Sequence, residues 1–296
     1  MSAAPRPRAV SPAPLPAASR PTEFGFGPDD HRHIADFVYA EAGILMPPGK
    51  AQLVYGRLAP RVRACGLTNF TDYIARIEAD PVERQNAIDA LTTNHTSFFR
   101  ESHHFDHFLE HAWPALSNRL ADRGRVRIWS AACSSGEEPY SLLMAMCGTE
   151  RGVAQRLARS DLRILATDLS TEILAAAARG RYSQDTAKGV PAELRRLWMH
   201  PVDRELEVDP LLRERVAYRK LNLLEDWPMR GMFDAIFCRN VMIYFDEATK
   251  ERLQSRLADR LAPGGFLYIG HSERLSASVA PRFACVGRTT FQKVSA

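Results

Sequence analysis

Apolar residues follow two different rhythms along the chain. From Glu23 to about Ser102 they recur three and four positions apart, the spacing of helices with one buried face. After Pro28-Asp29-Asp30, the segment His31–Ala42 places Ile34, Phe37 and Val38 on such a face. The same spacing predicts helices over Lys50–Cys65, closed by Gly66, and over Asn69–Ala79, stopped by Asp80-Pro81. A fourth is expected over Val82–Thr92. Residues 23–102 therefore read as a small N-terminal helical bundle.

Past Arg125, short apolar runs alternate with amphipathic stretches. Strands are expected over 126–132, 162–168, 233–240 and 266–270, with helices over 139–147, 171–179 and 246–261. FACVG and TTFQKV, split by Gly287-Arg288, read as a closing hairpin. This alternation predicts an α/β domain over 103–296, a parallel sheet with helices on both faces. Residues 181–220 break the rhythm and read as an inserted subdomain. No internal repeat is visible.

Composition narrows the class. The 296 residues are 45% hydrophobic and 25% charged, ordinary for a globular chain long enough to bury a core. Lys and Arg outnumber Asp and Glu by 39 to 35, a mild +4 that does not by itself indicate nucleic acid. The 5 cysteines are scattered without a CxxC pair, which argues against a disulfide framework or structural zinc and suits a reducing, cytoplasmic setting. No apolar run approaches the roughly 18 residues of a membrane span. Residues 1–22 are rich in Pro, Ala, Ser and Arg and lack the apolar stretch of a secretory signal. They read either as a disordered arm or as an extension without a role.

The candidate chemistry begins at the first strand-to-helix turn, WSAACSSGEEPYS. Doubly wound sheets bind ligands beyond the carboxyl ends of their strands. This turn has a single glycine, Gly136, where a dinucleotide site uses three to approach a pyrophosphate. It carries Glu137 and Glu138 instead. Such a turn suits a cationic ligand without phosphate, such as S-adenosylmethionine, though the two acids could equally serve the helix dipole. Asp168 ends the second strand, where a carboxylate can accept from a ribose diol. Asn222, expected at the end of the third, can read an adenine edge or simply form a turn.

The segments TTNHTSFFRE (92–101), WSAACSSGEEPYS (129–141), ATDLS (166–170), LNLL (221–224), FDAIFCRNVMIYFD (233–246) and GHSE (270–273) together resemble the chemotaxis receptor methyltransferases, the CheR family. The resemblance runs in order from about residue 24 to 294. It implies a small helical domain followed by a Rossmann-like class I S-adenosylmethionine-dependent methyltransferase domain with a small inserted antiparallel β subdomain. The implied activity is methylation of glutamate side chains on the cytoplasmic helical region of methyl-accepting chemotaxis proteins, giving methyl esters and S-adenosylhomocysteine. Carried over by position, the cofactor contacts would be Asn94, Thr96, Arg100, Glu138, Asp168, Asn222, Leu223, Cys238 and Arg239. Arg100 and Arg239 are candidates to hold a carboxylate, and Tyr244 to shape the pocket. Some relatives grip a receptor tail through a Gly-containing loop of the insertion. The corresponding stretch here, MHPVDRELEVD (199–209), is shorter and lacks glycine.

Lys50, Arg57, Arg61 and Arg63 sit on the second predicted helix, and no acid occurs between Ile44 and Thr71. The first three share a face. The stripe reads either as a solvated surface or as a docking face for an acidic receptor helix. His103, His107 and His111 have helical ligand spacing, but no HExxH completes a metal motif and none is expected. Two rival functions remain. A base-methylating enzyme would carry an Asn/Asp-Pro-Pro-aromatic loop where this chain has Arg239-Asn240-Val241-Met242. A non-catalytic adaptor would not need Arg100, Asp168, Arg239 and Tyr244 together. A monomer that neither binds nucleic acid nor inserts in a membrane is expected.

Overall fold

A computed structural model describes residues 23–92 and 94–294; the arm expected over 1–22 lies outside the described residues. Four helices open the fold: α1 (Pro28–Ala42), α2 (Ala51–Ala64), α3 (Phe70–Ala79) and α4 (Pro81–Leu91). Their starts follow from local chemistry. Asn69 accepts from the Asp72 N–H and Asp80 from that of Val82, and Pro81 takes the first helical position, where no N–H is needed. A longer helix then begins at α5 (His103–His107) and passes through a wide π-turn into α6 (Trp113–Ala121). Pro114 in that first turn supplies no N–H, which fits the widened ladder just before it.

The strands are β1 (Arg125–Ala131), β2 (Asp161–Asp168), β3 (Arg181–Ser183), β4 (Met199–Val202), β5 (Glu205–Val208), β6 (Val216–Lys220), β7 (Phe233–Cys238), β8 (Leu261–Ile269), β9 (Phe283–Gly287) and β10 (Thr290–Lys293). Seven form one sheet in the order β6-β2-β1-β7-β8-β10-β9. The pairs from β6 through β8 are parallel, and the closing β9–β10 hairpin adds antiparallel strands. The chain runs outward from β1 to β6 and returns on the other side of β1 through β7. That switch point opens a crevice at the carboxyl ends of β1, β2 and β7. The expected doubly wound class holds. The crossovers include α7 (Glu137–Cys147), α8 (Arg151–Arg159) and α9 (Thr171–Arg179), of which α8 was not expected.

The small antiparallel sheet β3-β5-β4 occupies 181–208 only. Val216–Lys220, inside the stretch read as an insertion, is the edge strand of the main sheet, paired with β2. One apolar core joins the helices to the sheet: Ile34, Val54, Leu58 and Phe70 belong to the same cluster as Trp129, Ile236 and Leu267. Trp129, wholly buried, donates to Thr167 at 2.9 Å, so its N–H does not oppose its burial. Among the described residues, no helix is long and apolar enough to cross a membrane.

Candidate active site

The turn after β1 is an unusual backbone. Ala132 and Ser134 hold φ of +59° and +50°, and Gly136 +91°. Left-handed conformations cost an L residue about 1–2 kcal/mol each, so the surroundings must enforce them. Ser134 donates its N–H to Asp168 at 2.8 Å and its hydroxyl to the Asn94 carbonyl at 2.9 Å. Tyr182 donates to the Ser135 carbonyl at 2.7 Å. At Gly136 a Cβ would lie 2.8 Å from the Tyr218 hydroxyl, so only glycine fits.

Asp168 is buried, and burial raises its carboxyl pKa, against the backbone N–H groups of Ser170 and Ser134 that lower it. Its two oxygens each accept one of those N–H groups. The side chain is thus a staple between the first and second strand ends as well as a cavity wall.

Arg239 follows β7 and is almost fully buried. It donates to Glu138 at 2.9 Å, to Glu101 at 3.2 Å and to the Arg100 carbonyl, and its guanidinium lies 5.6 Å from the Phe105 ring. Glu138 also accepts from Ser130 at 2.7 Å. Glu101 collects further bonds from Asn240 at 3.3 Å and from the His271 ring and N–H at 2.8 and 3.2 Å. Burial alone would raise the Glu101 pKa. The Arg239 charge and the His271 and Asn240 hydrogen bonds outweigh it and hold the carboxyl at about 2. Two carboxylates share this one guanidinium, and of the three groups Glu138 and Arg239 line the cavity. The sequence makes Arg239 a candidate to hold a carboxylate of substrate or cofactor; in the structure the carboxylates it holds are those of Glu138 and Glu101. Glu101 itself was overlooked, although it ends the conspicuous FFRE segment and holds φ +55°.

The loop from Arg239 to Tyr244 is pinned by Glu273, whose buried carboxylate accepts from the N–H groups of Gly270, Asn240 and Met242 at 2.5, 3.1 and 2.8 Å. A Cβ on Gly270 would meet the Asn240 side chain at 2.4 Å. This accounts for the GHSE segment. Opposite stands a helical wall formed where α1 ends. Gly43 has φ +67°, and a Cβ there would lie 2.2 Å from Leu224. Leu45 donates its N–H to the Tyr244 carbonyl at 2.9 Å. Asn222 donates to the Glu41 carbonyl at 2.8 Å and to Glu225 at 3.1 Å, and accepts from the Leu224 N–H at 3.0 Å. Both its donors are engaged, one by α1 and one within the turn. It forms the turn and ties α1 to the sheet.

Between these walls lies a cavity of about 960 Å³, open mouth included. Asn94, Thr96, Arg100, Glu138, Asp168, Asn222, Leu223, Arg239 and Tyr244 line it, together with Ala42, Ile44, Leu169, Leu221 and Phe245. Cys238 does not. It is the last residue of β7, fully buried between Ala131 and Ile269, and burial raises its thiol pKa. Arg100 is half-buried and donates to the His95 carbonyl at 2.9 Å. Among the described residues no carboxylate reaches it.

The basic stripe is not a free surface. Arg61 pairs with Glu83 on α4, and Glu83 also accepts from Tyr73 at 2.8 Å and Asn86 at 3.0 Å. Burial opposes ionisation of Glu83, but the hydrogen bonds from Arg61, Asn86 and Tyr73 hold it at about 2. Arg57 donates to the Leu91 and Thr92 carbonyls, each at 2.8 Å, closing the end of α4. Arg63 pairs with Glu23. The neutralising acids come from beyond the helix, which a search for local acids could not reveal. Lys50 and Arg57 have no carboxylate partner among the described residues; Arg57 is held by backbone carbonyls, and the Lys50 ammonium lies 5.7 Å over the Tyr244 ring. The histidines serve packing. His104, whose pKa burial lowers to about 3, bonds Thr289 at 2.9 Å, and His107 bonds Tyr268 at 3.2 Å. Among the described residues, no cluster of His, Cys, Asp and Glu is disposed to hold a metal.

A doubly wound sheet whose switch-point cavity is lined by Glu138 and Asp168 beside a single-glycine turn is the frame of an S-adenosylmethionine-dependent methyltransferase. Residues 94–292 match the model of the CheR methyltransferase SAM-binding domain, and residues 29–92 that of the CheR methyltransferase all-alpha domain. The chain belongs to the CheR methyltransferase family, and S-adenosylmethionine is its cofactor. It is 42% identical to the “Probable chemotaxis protein methyltransferase” of Rhizobium etli, over 86% of this chain and 96% of the relative. It is 39% identical to the chemotaxis protein methyltransferase of Klebsiella aerogenes, over 88% of each chain. The Escherichia coli relative of the same name is also 39% identical, over 88% of this chain and 89% of its own.

Proposed function

We propose that this methyltransferase esterifies glutamate carboxylates on the cytoplasmic helical region of chemotaxis receptors. The observation that carries the reading is that, among the described residues, both carboxylates of the cavity lining already have partners: Arg239 holds Glu138, and backbone N–H groups hold Asp168. A nucleophile that arrives already ionised suits such a site, and a glutamate, with a pKa of about 4.3, is ionised at neutral pH. S-adenosylmethionine supplies a methyl group on a sulfonium centre, which a carboxylate oxygen can accept without prior deprotonation.

The residues present fit the cofactor. Glu138 and Asp168, the carboxylates of the lining, favour its cationic groups, Leu169, Leu221 and Leu223 offer apolar faces to the adenine, and the lone pairs left on Asp168 suit the ribose diol. Arg100, free of acids, would hold a carboxylate in bidentate fashion. Tyr244 narrows the mouth and orients what enters, and Arg239 positions the acids. Catalysis by such a site rests on alignment more than on proton transfer.

The test is tritiated-methyl transfer to a receptor cytoplasmic fragment. The product should release methanol in alkali, and the rate should stay flat from about pH 6 to about pH 8, well above the substrate pKa. Alkali-stable label, or a rate rising with pH through about 6.5, the ordinary histidine value, would refute ester formation without a base.

A further inference from the structure

The inserted sheet reaches the turn after β1 through Tyr182. This tyrosine is the central residue of β3 and pairs with Leu206 on β5. It is 6% exposed, and it does not line the cavity. Its hydroxyl donates to the Ser135 carbonyl at 2.7 Å. That carbonyl belongs to the turn in which Ala132, Ser134 and Gly136 all hold positive φ. Two lining residues hold Ser134, Asp168 through a carboxylate oxygen and Asn94 through its carbonyl. Tyr182 holds the next residue from the inserted sheet. Its ring meets Phe98 edge to face, with centroids 4.8 Å apart and planes at 74°. Phe98 lies in the loop that brings Thr96 and Arg100 into the lining. Gly189, in the same insertion, packs closely on that loop: a Cβ there would lie 3.2 Å from the Phe98 carbonyl oxygen.

We propose that Tyr182 is a positioning residue that braces the turn after β1, so that bound S-adenosylmethionine and the inserted sheet stabilise each other. The inference goes beyond the receptor-glutamate reading, because it concerns the cofactor and holds for any methyl acceptor. Left-handed residues persist only where their surroundings over-determine them. With the Ser135 carbonyl released, the turn can relax toward ordinary dihedrals, and Ser134 shifts against Asp168. The cavity then loses the placement of both lining groups at once. Coupling of this kind is reciprocal: whatever the sheet adds to cofactor affinity, the cofactor adds to the sheet. Tyr140 supplies the contrast. Its ring lies 6.3 Å from that of Tyr182, but its hydroxyl donates to the Ala177 carbonyl on α9 at 2.8 Å.

The experiment uses the full chain with S-adenosylhomocysteine as ligand. Calorimetry compares wild type with Tyr182→Phe, which keeps the ring and loses the hydroxyl, and with Tyr140→Phe. Tyr182→Phe should raise the Kd about tenfold, the effect of one hydrogen bond, while Tyr140→Phe stays within about twofold of wild type. A lowered Tm with an unchanged Kd means that Tyr182 only packs, and overturns the proposal; an equal rise in both variants overturns it as well. Hydrogen exchange reads the reciprocal effect. The Val208 amide on β5 bonds the Gly180 carbonyl at 2.9 Å, so its exchange reports opening of the inserted sheet. With ligand at about 100 times the Kd, that exchange should slow at least about tenfold in wild type. Amides of β10, toward the other end of the main sheet, should change less than about twofold. In Tyr182→Phe at the same saturation, the slowing at Val208 should fall below about threefold; slowing equal to wild type overturns the brace. Should the variant not fold, wild-type exchange still decides: Val208 protection that ligand leaves unmoved, or moves no more than that of β10, overturns the proposal.

Discussion

The two walls of the cavity are built on opposite principles. The strand-end wall is polar and buried: Arg239, Glu101, Glu138, Asp168 and Glu273 bond one another or the backbone, and Ala132, Ser134, Glu101 and Asn240 hold positive φ. The helical wall is held by shape: Ala42, Ile44 and Phe245 line it, and Gly43 closes against Leu224. In the first, each group is fixed by several partners, so removing one strands the others. In the second, contact depends on volume, and a compensating change elsewhere can restore it.

The hardest way to break this contrast is Arg239→Ala. Glu101 and Glu138 would be left buried beside each other without a counter-charge, a defect that costs about 3–5 kcal/mol. Urea unfolding should show that loss, and methyl transfer should disappear with it. A loss under about 1 kcal/mol would mean the network is solvated and the wall is not what it looks like.

Gly43→Ala should come next. The left-handed dihedral costs about 1–2 kcal/mol and the overlap with Leu224 about 1–3 kcal/mol more. Adding Leu224→Ala should recover the steric share and leave the dihedral share, as a volume-governed contact requires. Thermal melts of the single and double variants measure both parts.

A third break, also legible as a slope in acid, is Glu101→Gln, which forfeits at neutral pH the stability its depressed pKa contributes. Glu101 has a folded pKa of about 2, below its ordinary 4.5. Between those values the unfolded chain binds the extra proton and the folded one does not. Stability therefore rises with pH across this window and is lost as pH falls through it. The Gln variant should flatten that limb, and Glu83→Gln, in the helical bundle, should flatten the same window independently. Denaturant titrations across the acid range would show whether the two contributions add.

The element order was legible because periodicity is a local property. Helices α1 to α4 and strands β1, β2, β7 and β8 fall where the spacing of apolar residues put them, within a few residues. Helix α8 was passed over, although Val153, Ala154 and Leu157 carry the helical spacing. Positions at strand ends were legible too, since the topology alone brings Glu138, Asp168 and Tyr244 to one crevice. What a side chain does there was not. Arg239 meets acids at positions 101 and 138, Asn222 meets the Glu41 carbonyl, and Arg61 meets Glu83, partners separated along the chain by 22 to 181 residues. Cys238 went inward because alternation along β7 decides which face it takes, and the last strand residue still faces the core.

The carboxylate of Glu273 behaves as an anion the chain supplies to itself. By gathering amides from both Asn240 and Met242 onto the end of β8, it makes the Tyr244 loop part of the same cooperative unit as the central strands. A loop of this kind does not fray separately; opening it requires exposing a buried charge and three amides at once. Hydrogen exchange at those amides should therefore be coupled to the slow, large-scale openings of the sheet. The rim of the cavity should then keep its form on the timescale of the core and not on that of the surface.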